Sequence, residues 1–171
     1  MVKQYKVFLP TRESWCKPGK IGNPNVGIWY TEGAGISSGF SEGINGLRDN
    51  HRESIPMGSL STVFQAKVMT ILRCTELPLT KNVTRTRIHV CSVKMAAITA
   101  LVKTGTELAW FGYASARRTK WTRVTLVWIP GHRGIPENEV DKLAKQGTNG
   151  FLSDQLLTSL LLWAKKSSGV I

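Results

Sequence analysis

Cysteine, acidic side chains and long apolar runs are all scarce in this chain of 171 residues. Three cysteines, Cys16, Cys74 and Cys91, cannot build a disulfide framework, and they show no CxxC spacing for zinc or redox chemistry. No stretch reaches the ~20 apolar residues that a membrane span needs. The N-terminal MVKQYKVFLPTRESW has no long apolar core of the kind a signal peptide carries. The expectation is a soluble, intracellular chain with no membrane partner. Repeats, linkers and low-complexity blocks are missing too, and the length has room for one ordinary domain. With 42% hydrophobic and 20% charged residues, the composition excludes wholesale disorder.

What is abundant is positive charge. Lysine and arginine outnumber aspartate and glutamate 23 to 11, a formal net of +12. The excess is concentrated: between Lys81 and Arg133 stand ten basic residues and a single acid, Glu107. A stripe of that kind attracts a phosphate backbone through Coulomb attraction and counterion release. By itself the charge points to a polyanion and does not say which one.

Along the chain, Pro10, Pro18, Pro24, Gly19 and Gly22 mark residues 1–25 as a loop-like leader. VGIWYT, Val26 to Thr31, has the β-branched and aromatic content of a strand. After a glycine-rich turn, Phe40 to Asn45 is a candidate returning strand, and a weaker one lies near Glu53 to Pro56. Ser61 to Leu77 switches to helical spacing, with Val63, Phe64, Val68, Ile71, Leu72 and Thr75 along one side. Arg87 to Cys91 reads as a strand and Met95 to Val102 as a helix. The stretch from Glu107 to Lys120 is ambiguous, with helix favoured. Val124 to Ile129 (VTLVWI) is the clearest buried strand, and a helix from about Pro136 to Gln146 follows, with Gly147 as its stop. The order predicts an α/β fold that starts with an antiparallel hairpin and continues with parallel strands. In the tail, Leu152, Leu156, Leu160 and Trp163 recur at steps of four or three, which predicts a short amphipathic packing helix. The expected division is a leader over 1–25, a domain over 26–148 and a helix and tail over 149–171. Gly33, Gly35 and Gly39 follow a strand, but their GxGxxxG spacing and the non-helical FSEGIN after them do not make a dinucleotide fingerprint.

Four stretches stand out together: YTEGAG (Tyr30 to Gly35), TVFQAKVMTIL (Thr62 to Leu72), IHVCSVKMAAITAL (Ile88 to Leu101) and VTLVWIPGHRGIPENEVDKLAKQG (Val124 to Gly147). In this order they resemble the type 1 ribonuclease H domain, in the version found in insect non-LTR retrotransposon polyproteins. The resemblance runs from about Ile28 to Gly147, is most specific in the last stretch, and is poor from Gly105 to Arg123. It implies a ribonuclease H-like fold, a mixed five-stranded sheet flanked by helices. The activity it implies is hydrolysis of the RNA strand of RNA–DNA hybrids. That chemistry uses a carboxylate cluster holding two Mg²⁺ or Mn²⁺ ions about 3.5–4 Å apart. Hard cations of this kind take oxygen ligands, so apolar or cationic side chains cannot substitute.

Position by position the match is incomplete. Where the family reads YTDGS this chain reads YTEGA, so Glu32 takes the first ligand position with one extra methylene. FQAE has become FQAK, which puts Lys67 at the second. SDS has become SVK, which puts Val93 at the third. GNExADxLA has become ENEVDKLA, one residue short, and Asp141 keeps the spacing of the fourth. His132, in PGHRG, matches the family's mobile histidine. A set carrying −4 in the family carries −1 here, and Lys67 repels a divalent ion directly. The expectation is that Mg²⁺ or Mn²⁺ is not bound tightly and that hydrolysis is impaired or lost, with the Lys67 ammonium lying where a metal would, between Glu32 and Asp141. Lys94, Arg117, Arg118, Lys120 and Arg133 are the candidate nucleic-acid-binding residues, facing an RNA–DNA hybrid or another nucleic acid in the nucleus or cytoplasm. A catalytically silent binding domain and a decayed element fragment are the alternative expectations.

Overall fold

A computed structural model describes residues 5–15, 26–36, 39–47, 50–59, 61–62, 66–67, 69–71, 73–74, 77, 87–103, 123–131 and 137–148. Its strands are β1 (Tyr5–Phe8), β2 (Val26–Ile36), β3 (Gly39–Gly46), β4 (His51–Gly58), β5 (Arg87–Ser92) and β6 (Arg123–Trp128). The helices are the single turn α1 (Arg12–Trp15), α2 (the described helical residues within 66–77), α3 (Met95–Lys103) and α4 (Glu137–Gly147). Six strands form one mixed sheet in the order β1-β6-β5-β2-β3-β4. β1, β6, β5 and β2 run parallel to one another, while β3 and β4 add antiparallel rungs beyond β2.

The α/β class, the antiparallel hairpin and the later parallel strands follow the sequence reading. Two differences have physical causes. The sheet has six strands rather than five, because Tyr5–Phe8 pairs with Val124–Val127 on β6. That pairing also corrects the leader: four residues ahead of its prolines are strand, and nothing local distinguishes so short an edge strand from loop. The strand foreseen near Glu53 to Pro56 is longer, since β4 runs the whole length of β3. The ambiguous 107–120 stretch and the tail helix lie outside the described residues.

The sheet separates two apolar layers. On one face Trp29, Ile44, Ile55, Met57, Ile88, Val90, Val124 and Leu126 pack with Ala66, Met69, Ile71, Cys74 and Leu77 of α2 and with Ile98 of α3. On the other, Tyr30, Cys91, Val127 and Ile129 meet Val140 of α4. Burial on both faces explains why VTLVWI is apolar at every position but Thr125 instead of alternating.

β3 is the least strand-like of the central elements, since GFSEGING contains three glycines in eight residues. Packing explains two of them. A Cβ on Gly43 would strike the Val140 carbonyl and come within 2.8 Å of the Ala144 amide, so α4 can cross the sheet at that point. A Cβ on Gly46 would sit 2.6 Å from the Trp29 ring. Ser41 Oγ donates to the Ala144 carbonyl, which fixes the helix to the strand. α4 is thereby held across β2 and β3, beside the ends of the parallel strands.

Candidate functional site

The parallel pairing of β2 with β5 ends at the rung Thr31–Ser92. β2 continues beyond it, so Glu32 is the first residue past the carboxyl ends of the parallel strands, where open α/β sheets place their ligands. β5 ends beside it: the Ile129 amide donates to the Ser92 carbonyl at 3.1 Å, and Trp128 Nε1 donates to the Val93 carbonyl at 3.1 Å.

The Glu32 carboxyl is buried. The Gly33 amide donates to Oε1 at 3.1 Å, and Lys94 Nζ approaches the same oxygen at 3.8 Å. Oε2 is sealed from solvent and accepts no hydrogen bond from the described residues. Burial raises the Glu32 pKa above the ordinary carboxylate value, with the Glu42 charge adding a small push in the same direction. The charges of Lys67 and Lys94 and the Gly33 amide oppose that rise without cancelling it.

Glu42 is the residue that sequence reasoning missed. In the hairpin register Glu32 faces Gly43 and Gly33 faces Glu42, so the two acids stand on adjacent rungs. The Glu42 carboxylate fills the space over Gly33, and a Cβ on that glycine would collide with Glu42 Oε1. Lys67, on α2, extends onto this carboxylate, and Nζ donates to Oε2 at 2.7 Å. The two side chains are 0% and 1% exposed. Lys67 is therefore bonded to Glu42, whereas the sequence reading set it between Glu32 and Asp141.

The remaining positions separate. Val93 packs against the Tyr30, Cys91, Val127, Ile129 and Val140 cluster and supplies no donor. Asp141 is half-exposed on α4, where Lys145, one turn on, pairs with its Oδ2 at 2.6 Å. An i,i+4 pair of this polarity stabilises its own helix. Lys94 is exposed and lies at the mouth of the Glu32 site. His132, Arg117, Arg118, Lys120 and Arg133 lie outside the described residues.

A pair of divalent cations requires several oxygen ligands free to coordinate. Here Glu42 is committed to an ammonium, the Val93 side chain has no oxygen, and Asp141 is engaged by Lys145. Among the described residues no group of three or more His, Cys, Asp or Glu side chains is disposed to hold a metal ion. The described residues do not fit a two-metal centre. Among the described residues no helix is long and apolar enough to cross a membrane.

No family model matches the chain, and no curated protein does. Solved structures do match in fold. RNase H1 from the halophilic archaeon Halobacterium salinarum aligns with a TM-score of 0.54 at 14% identity, over 71% of this chain and 96% of that one. The foamy viral protease–reverse transcriptase in complex with an RNA/DNA hybrid aligns with a TM-score of 0.53 at 17% identity, over 73% of this chain and 20% of that one. The foamy viral structure with dsDNA gives 0.52 at 16% identity, over 73% and 95%. The chain has a ribonuclease H-like fold.

Proposed function

We propose that this chain is a ribonuclease H-like domain, related to those of insect non-LTR retrotransposon polyproteins, that holds an RNA–DNA hybrid or another nucleic acid and hydrolyses it weakly or not at all. The observation that carries the reading is the Lys67–Glu42 pair: an ammonium bonded to a carboxylate at the strand ends where the resembled enzymes need anionic ligands. The fold shared with Halobacterium RNase H1 and with a viral reverse transcriptase in complex with a hybrid supports the class of ligand. The net charge of +12 supplies the attraction.

Binding of this kind requires no metal. Phosphate contacts position the duplex and provide most of the sequence-independent affinity. Lys94, beside the Glu32 site, together with Arg117, Arg118, Lys120 and Arg133, forms the proposed contact set; Glu32, Asp141 and His132 are the remnants of the catalytic set. The functional unit spans 26–148 with β1 added to its sheet, and it works in the nucleus or cytoplasm, where such hybrids form.

A mobility-shift titration with a labelled hybrid tests this, repeated from about 50 to 200 mM salt. Five phosphate contacts correspond to a loss of roughly 10²–10³ in affinity over that range. Salt-insensitive binding, or no binding at the low end, would remove the basis for the reading.

A further inference from the structure

The misfit between this site and a pair of divalent ions has a structural consequence for the chain itself. Burying a lone carboxylate is costly, and Glu42 lies on an inner rung of the β2–β3 hairpin with its side chain closed to water. A carboxylate there has to be matched by positive charge that either diffuses in or is built in. Lys67 is built in. It is among the largest fully buried side chains of the protein, and its ammonium meets Glu42 Oε2 at 2.7 Å. Gly33 leaves the room that the carboxylate occupies. The same ammonium also acts on Glu32, whose carboxyl it helps to keep ionisable against burial.

We propose that Lys67 is a tethered structural cation, which supplies from within the chain the positive charge that Glu42 requires and closes this end of the sheet to divalent ions. The fold then needs no diffusible cation. The idea does not depend on nucleic-acid binding and stands or fails separately from it.

The test is thermal unfolding of the full chain in EDTA, Mg²⁺ or Mn²⁺. For the native sequence the expected Tm is the same in all three, and a rise of several degrees with either metal would overturn the proposal. Lys67→Ala strands the Glu42 charge and removes three carbons and the nitrogen, and its Tm is expected to fall by about 10 °C. n-Propylammonium chloride replaces those atoms and is expected to restore much of the loss saturably, whereas tetramethylammonium at equal ionic strength restores none. Equal effects of the two salts would contradict a specific cation site. Should Lys67→Ala not fold, Lys67→Gln paired with Glu42→Gln provides the control: the neutral pair is expected to fold close to the native Tm. A double variant as unstable as the single ones would show that the charge match is not what Lys67 provides.

Discussion

Lys67 and Glu42 form an ion pair of 2.7 Å in which neither side chain reaches solvent. Removing one partner from such a pair costs about 3–5 kcal/mol, because the other is left as an uncompensated buried charge. Replacing both with apolar groups of similar volume is often neutral or stabilising. Lys67→Met is therefore expected to be severely destabilised, and Lys67→Met combined with Glu42→Leu to recover most of the loss. Urea denaturation midpoints measure both; additive losses in the double variant would argue against a coupled pair.

Gly43 is where α4 crosses the sheet, and the obstacles to a side chain there are the backbone atoms of Val140 and Ala144, which cannot swing aside. Gly43→Ala should cost at least the ~1–3 kcal/mol of an overpacked core position. Gly33→Ala meets the end of a side chain instead, so its effect should show mainly as a disturbed Glu42–Lys67 pair. The ordering of the two variants by chemical denaturation checks the assignment.

At high pH the sign is set by buried acids. Burial pushes the Cys91 thiol from 9.0 to about 12, and burial aided by Cys91 pushes the Tyr30 phenol from 10.0 to about 12. In the unfolded chain both groups release protons at their ordinary values, while the folded chain retains them. Stability should thus be lost as pH rises from about 9 towards 12, at about 1.4 kcal/mol per pH unit for each group. Cys91→Ala should flatten the decline in a plot of unfolding free energy against pH, whatever its stability at neutral pH.

Asp141 pairs with Lys145 on an exposed helix face. Exposed pairs of this type are worth a few tenths of a kcal/mol. Asp141→Asn should change the denaturation midpoint and hybrid affinity very little. A large loss of either would show Asp141 to be part of the site.

Much of this was legible in the residues, for reasons that also explain the gaps. VTLVWI announced a strand buried on both faces because neither face contains a polar residue large enough to demand water. Tyr5–Phe8 was not legible: four residues among prolines and basic side chains acquire strand character from β6 alone. Glu32 and Lys67 were found through the motifs around them. Glu42 was passed over because FSEGIN offers no motif, and an acid in a glycine-rich strand looks like a surface residue. The antiparallel register that pairs Ile36 with Gly39 places residue 42 opposite residue 33, one rung from Glu32. Asp141 was placed by spacing, which fixes a position on a helix and cannot foresee that Lys145 engages it.

The most direct measurement is fluorescence anisotropy of a labelled RNA–DNA hybrid with the purified full chain, in EDTA and in millimolar Mg²⁺ at matched ionic strength, with the same samples run on a denaturing gel. The expected result is equal affinity in both conditions and an intact RNA strand, because the positive charge beside the Glu42 carboxylate is the one carried by Lys67. Tight binding that requires Mg²⁺, or RNA cut at rates typical of an active hydrolase, would contradict it.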